Sequence, residues 1–331
     1  MDDELLEYGY RFHVQFHVTN ACNLRCKHCY EGGCPSIVEW GYGDFIKAID
    51  SLWSCFQKWG VLGEISIIGG EPTLHPDFIK MVDYLGHRQD VVAISILTNG
   101  VRLTSEQIDL FKRNNCYVQI SIDGVTKSAH DYIRGNGNYD RAIESLKKLK
   151  EEGIKTSVHF VLSKYTYPLS ENFFEMLVEN GVKRVSFSRI VPFGNAKVDD
   201  MLSASETRET YDFINRMKEK FSESDLHVSS TRPLWCNFGY SGKCPVAIQT
   251  ITVLENGDIM PCRRLPIVIG NIKKDNFYKI WYTDDTLNKL RDRSAIEKCG
   301  KCKFVNDCGG GRCLAYAVYG DYMRKDPQCW L

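Results

Sequence analysis

At 331 residues the chain has room for a large core and two domains. Lys plus Arg and Asp plus Glu both total 42, which leaves no net field to draw it to nucleic acid or anionic lipid, and no apolar run is long enough to span a bilayer. The acidic start, M-D-D-E-L-L-E, lacks the basic and apolar regions of a signal peptide, so its 14 cysteines argue against a disulfide framework and for metal ligands in a reducing compartment, the cytoplasm.

In chain order, R-F-H-V-Q-F-H-V-T-N alternates and is β-rich, so a first strand is predicted near 12–19, with the run A-C-N-L-R-C-K-H-C-Y on the loop that leaves it. An amphipathic helix follows at 43–58. A second strand near 64–68 ends in Gly69, Gly70, Glu71 and Pro72, and a third near 92–98 ends in T-N-G with Thr98 and Asn99. A fourth near 117–122 runs into S-I-D-G, which holds Ser121 and Asp123, and a helix is expected at 138–152. Strands near 156–162 and 184–189 follow, the latter closing at Arg189 with R-I-V-P-F-G-N-A, and then a helix at 205–222. Six β-then-α units predict a parallel sheet with helices on its outer face.

After about residue 225 the cysteine density jumps. I-Q-T-I-T-V-L-E-N-G-D-I-M-P-C reads as a hairpin turning at N-G-D, a short helix is expected near 276–291, and the rest is loop-rich, as a domain held by metal would be. The division is therefore 1–225 and 226–331.

Cys22, Cys26 and Cys29 stand at C-x3-C-x2-C. Three thiolates fill three corners of a four-iron cluster and leave one iron open, whereas clusters that only carry electrons normally have four protein ligands. A zinc knuckle is the alternative reading of the spacing. With G-G-E-P, T-N-G and S-I-D-G following at strand ends in this order, the chain resembles the radical S-adenosylmethionine (SAM) superfamily. The resemblance implies an α/β fold, an open partial (β/α)6 TIM barrel, with its active site at the C-terminal ends of the strands. It further implies that SAM chelates the open iron and is cleaved to a 5′-deoxyadenosyl radical. By the same resemblance Gly69, Gly70, Glu71 and Pro72 lie at the amino group of SAM, Tyr30 near the adenine, and Arg134 on the carboxylate, with Thr98, Asn99, Ser121, Asp123 and Arg189 also at the cofactor.

The second constellation is Cys244, twelve residues, Gly257, four residues and Cys262, then Cys299-x2-Cys302-x5-Cys308-x4-Cys313, and finally Cys329. It is similar to the SPASM domain, a two-cluster extension on one branch of the superfamily. The resemblance implies a first auxiliary cluster on Cys236, Cys244, Cys262 and Cys313 and a second on Cys299, Cys302, Cys308 and Cys329, hence three 4Fe–4S clusters in all. One departure is visible: four residues separate Cys308 from Cys313 where the family has three, which puts Cys313 in question. A zinc ribbon on Cys299, Cys302, Cys308 and Cys313 is the alternative, as is a free Cys236 thiol that donates a hydrogen atom to a substrate radical. Cys55 and Cys116 read as small core residues and Cys34 as loop packing. The eight histidines form no metal-binding pair, and His28 only lines the cluster loop.

Family members of this branch mostly modify peptides or proteins, so the leading expectation is an oxidoreductase that matures a ribosomally made peptide, with a flavodoxin- or ferredoxin-type reductant. The cluster motif starts at residue 22 and the chain stops just after Cys329, so a separate leader-peptide recognition protein, or direct binding at the barrel mouth, is expected. Rival readings are oxidation, decarboxylation or epimerisation of a tetrapyrrole or sugar, and sulfatase maturation. The last conflicts with Arg263, which stands where those enzymes place an aspartate base. A non-enzymatic electron carrier would leave G-G-E-P, S-I-D-G and Arg134 without a role.

Overall fold

The computed structural model describes residues 11–33, 36–231, 244–305 and 308–331. Seven parallel strands form the main sheet: β1 (Arg11–Thr19), β2 (Leu62–Gly69), β3 (Val91–Thr98), β4 (Tyr117–Ser121), β5 (Thr156–Leu162), β6 (Arg184–Arg189) and β7 (His227–Thr231). Between them run α1 (Tyr42–Trp59), α2 (Phe78–Gly86), α3 (Ser105–Arg113), α4 (Lys127–Arg134), α5 (Asn138–Glu151), α6 (Glu171–Glu179) and α7 (Ala204–Lys220). The predicted β-then-α order is thus the observed one, and the fold is an open partial barrel.

The strands separate their two faces by chemistry. Val14, Phe16, Ile67, Ile96, Val118, Ile120, Val158, Phe160, Val185 and Phe187 are fully buried on the face that meets the helices. Phe12 and Phe16 pack there on Phe56 and Phe45 of α1. Burying each such ring contributes about 1.5–3 kcal/mol. The opposite face is polar. The ladder register aligns His13, Gln15, Ser66 and Ser95 across β1–β3, and Ser121, His159 and Ser186 across β4–β6. A period of two thus puts an apolar skin outside and hydrogen-bonding side chains inside.

The sheet does not end at residue 225. β7 adds to β6 at one edge, while β8 (Thr250–Val253) adds in parallel to β1 at the other. β8 is the first arm of the expected hairpin, with β9 (Asp258–Met260) antiparallel to it and β10 (Gly270–Asn271) beyond. Both edges of the barrel sheet are therefore built by residues on the far side of the cysteine-density change. The helix expected near 276–291 is two short ones, α8 (Phe277–Thr283) and α9 (Asp285–Arg291), broken at Asp284, which caps the second by accepting from the Leu287 amide. α10 (Arg312–Tyr319) follows the glycine run.

Candidate active site

The C-terminal ends of the strands surround a cavity of about 420 Å³. Cys22, Cys26 and Cys29 line it, as do Tyr30, Gly69, Gly70, Thr98, Asn99, Ser121, Arg134 and Arg189. The cysteine loop is fastened from four sides. Gly70 and Glu71 donate backbone hydrogen bonds to the carbonyls of Thr19 and Ala21 (2.9 and 2.7 Å), and Asn99 donates to the Asn23 side chain. Lys27 donates to the Ile133 carbonyl at the end of α4. From the loop after β6, Asn195 donates through its backbone to the Cys29 carbonyl and through its side chain to that of Cys26. A Cβ on Gly70 would stand 2.4 Å from the Ala21 carbonyl, and one on Gly194, at φ 62°, 2.5 Å from that of Cys29. These positions need glycine because backbone touches backbone.

Burial pushes the Cys22 thiol up to about 12; the Leu24 amide opposes the shift, while Glu71 and the other two thiols add to it. Burial also lifts Cys26, against the charge of Arg134. Thiols in this state must lose protons to ligate iron. The donor set suits the purpose: three soft ligands at one end of a roomy cavity, with the Arg134 Nη1 3.9 Å from the Cys26 sulfur.

Arg134 is buried against Asp123, whose Oδ2 accepts from Nε at 2.6 Å and also meets His28 Nε2 at 2.6 Å. Burial alone would raise the Asp123 carboxyl, but Arg134 and His28, helped by the Val161 amide, hold it well below the usual carboxylate range. Asp123 therefore positions Arg134; it is absent from the cavity wall.

The Glu71 carboxylate is hydrogen-bonded within the protein. It is absent from the cavity wall, as is Pro72, and its two oxygens accept from Thr73, Thr98 and the Asn99 amide. The carboxylate ties the G-G-E-P turn to the T-N-G turn. Arg189 also has a partner that the sequence did not announce. Its Nη1 and Nη2 donate to Asp326 at 2.9 and 2.8 Å, joining the end of β6 to the C-terminal segment.

Glu31, Arg264 and Asn195 also line the cavity, and none of them was expected at the site. Glu31 follows Tyr30 and lies 3.3 Å from His17; burial, then the charge of Glu255, raises its carboxyl. His17 is pushed down to about 3 by burial and then by the Arg263 charge. Arg264 is buried beside the half-buried Arg263, whose guanidinium stands 5.8 Å from the Tyr30 ring centroid. For Asn195 the signal was present, since R-I-V-P-F-G-N-A contains it.

The C-terminal thiols gather in two tight pockets of about 20 Å³ each. One is lined by Cys244, Cys262 and Cys313, the other by Cys299, Cys302, Cys308 and Cys329. The long C-G-G-G-R-C run accommodates this split: Gly309 and Gly310, at φ 59° and 63°, turn the chain between the pockets, so Cys308 and Cys313 face different ones. Buried Arg312 lies between them. Its Nη1 donates to the carbonyls of Tyr322 and Arg324, while Nε and Nη2 have no hydrogen-bond partner. A guanidinium so placed fits an anionic cluster. Cys55 and Cys116 are buried in the core, and Cys34 and Cys236 lie outside the described residues.

Comparison with known proteins agrees with this geometry. Residues 16–177 match the model of the radical SAM superfamily, and 244–303 that of the SPASM iron–sulfur cluster-binding domain. The chain is 26% identical to an AdoMet-dependent heme synthase of Methanosarcina barkeri, over 96% of this chain and 95% of that one. It is 28% identical to the mycofactocin maturase MftC of Mycobacterium tuberculosis, over 96% and 82%. The crystal structure of Streptococcus suis SuiB bound to S-adenosylmethionine superposes with a TM-score of 0.79 at 18% identity, over 99% of this chain and 80% of that one, and so shares its fold. These domains imply SAM and 4Fe–4S clusters as cofactors. With the thiol triad at the strand ends and the cysteine pockets behind it, the chain belongs to the radical SAM superfamily, in the branch that carries a SPASM domain.

Proposed function

We propose that this enzyme abstracts a hydrogen atom from a ribosomally made peptide and leaves an oxidative modification or crosslink. Cys22, Cys26 and Cys29 would hold the SAM cluster, and the two C-terminal thiol sets would hold two auxiliary clusters, with Cys236 as the further ligand of the first. The observation that carries this reading is the composition of one cavity. The thiol triad and strand-end motifs form one wall, and Arg263 and Arg264 from the SPASM region form another. A substrate gripped by the second wall would meet chemistry generated at the first.

Bound there, the cluster and SAM would supply a 5′-deoxyadenosyl radical. The chain supplies position and exclusion of water. Arg134, fixed by Asp123, would take the SAM carboxylate with the donors left free of that pair, and Tyr30 would wall the adenine. Glu71 would act indirectly, by holding the Thr98 and Asn99 turn in place. A one-electron donor of flavodoxin or ferredoxin type, a separate peptide-recognition protein and a cytoplasmic setting complete the proposal. MftC-type relatives support a peptide substrate, and so does the likeness to SuiB, which has been crystallised bound to precursor peptide SuiA. The heme synthase relative supports a second reading, oxidation of a tetrapyrrole side chain. Sulfatase maturation is disfavoured because Arg263 cannot accept a proton at neutral pH.

The test is to incubate reconstituted enzyme, SAM and dithionite with candidate precursor peptides, a porphyrin bearing propionates, and a sulfatase-motif peptide, and to read products by mass spectrometry. Mass loss from a precursor peptide is expected. Turnover of the porphyrin alone would move the assignment to the second reading, and an aldehyde on the sulfatase peptide would restore the third.

A further inference from the structure

Two arginines follow Cys262 in the sequence, in P-C-R-R-L. The Leu265 amide donates to the Cys262 carbonyl (2.9 Å), closing a tight turn whose two central residues are Arg263 and Arg264. Both line the large cavity. Arg264 is only 7% exposed; its Nη2 lies 3.4 Å from His159 Nε2, and its Nη1 has no hydrogen-bond partner.

His159 does not cancel this charge. Its Nδ1 lies 3.0 Å from Ser186 Oγ. The Ser188 hydroxyl also meets Nε2, at 2.9 Å. Neutral or protonated, an imidazole carries no negative charge, so His159 cannot balance the guanidinium. The other buried arginines of the barrel are each neutralised, Arg134 by Asp123 and Arg189 by Asp326. Among the described residues no carboxylate forms an ion pair with Arg264.

A buried guanidinium stays charged and needs an anion. The thiols beside it in sequence do not meet that need, because Arg312, not Arg264, lines the pocket of Cys244, Cys262 and Cys313. The cavity itself has Glu31 as its lining carboxyl, which lies 3.3 Å from His17, feels the charge of Arg263 and forms no ion pair with Arg264. The remaining wall includes Leu24, Ile68, Leu97, Val161, Ile190 and Val191, and no lysine. We propose that Arg264, flanked by Arg263, is the anchor for a carboxylate of the substrate, and that the substrate is an acid with an apolar body next to that group. The inference relies on the proposed function only in taking the cavity as the substrate site.

Isothermal titration of the full-length reconstituted enzyme, with saturating SAM, would compare hexanoate with hexanamide. Hexanoate is expected to bind, hexanamide at least about tenfold more weakly, and Arg264→Gln is expected to lose at least about tenfold for hexanoate. Arg264→Lys should recover part of that loss. Arg141→Gln, on the exposed face of α5, removes one charge elsewhere and should change nothing. Equal binding of acid and amide, no binding of hexanoate, unchanged binding by Arg264→Gln, or tighter binding of inorganic phosphate would each overturn the assignment. Should Arg264→Gln fail to fold, the acid–amide comparison on the unaltered enzyme still decides. Formation of 5′-deoxyadenosine is measured separately: its absence with hexanoate bound sinks the radical reading and not the site, and the reverse result sinks only the site.

Discussion

Arg134 at the barrel mouth and Arg312 between the C-terminal pockets are both buried beside cysteine thiols, yet their surroundings differ. Asp123 pairs with Arg134, and His28 braces the pair from behind. Arg312 gives one nitrogen to two carbonyls and leaves two without a partner. The spaces differ as well, about 420 Å³ at the mouth against about 20 Å³ in each pocket. Beside the triad the mouth is organised by the protein's own charges, with room for ligands, while Arg264 on the same cavity wall has no such anion. The pockets are small, and their cation is left to be neutralised by what the thiols hold. Beside the triad the protein supplies the counter-charge itself, whereas between the pockets part of the charge balance is left to the group the thiols hold.

The comparison breaks first if the thiol sets are not independent. Replacing Cys22, Cys26 and Cys29 together by Ala should abolish 5′-deoxyadenosine formation while leaving roughly eight of about twelve irons per chain. Chromatographic assay and iron analysis read both, and undiminished cleavage would sink the assignment. Next in size is the link between the regions. Arg189 and Asp326 are almost completely buried, so Asp326→Asn should lower stability by about 3–5 kcal/mol in denaturant melts. A loss under ~1 kcal/mol would show the regions to be separately stable.

Acid should act through His17, buried against Glu31 of the cavity wall. Its folded pKa, about 3, lies below the ordinary 6.5, so the unfolded chain takes up a proton that the folded site refuses. Stability is therefore full above the unfolded value and falls as pH drops from there towards the folded one, by about 1.4 kcal/mol per pH unit. His17→Leu, which also removes an Nε2 without a hydrogen-bond partner, should flatten that slope in melts across the range. The smallest effect concerns the pockets. Arg312→Gln removes a positive charge and should make an auxiliary cluster harder to reduce, shifting its potential by about −60 mV, tenfold for a one-electron couple. Potentiometry followed by electron paramagnetic resonance reads it, and an unchanged potential would remove Arg312 from the charge balance.

Much of the site was legible because it is local. The triad spacing, G-G-E-P, T-N-G and S-I-D-G each occupy a few consecutive residues at a strand end, and alternation in β1 marked its faces. The partners of Glu71 and Arg189 were not legible. Glu71 bonds to residues up to 28 positions away, and Arg189 finds Asp326 at a separation of 137. Nothing near either residue announces such a partner. Arg263 was picked out from the sequence for its place after Cys262, but it is the adjacent Arg264 that the turn buries without an anion.

By itself the sequence determined the order of strands and helices, the loop that carries the triad and the turn of the C-terminal hairpin, because periodicity, turn chemistry and ligand spacing are properties of short segments. Tertiary structure alone decided that β7 and β8 extend one sheet from β6 and β1 at opposite ends, that Cys308 and Cys313 face different pockets, and which arginines are neutralised. Those outcomes depend on which distant groups share a buried space, and burial is what makes a charge or a thiol costly until its partner arrives.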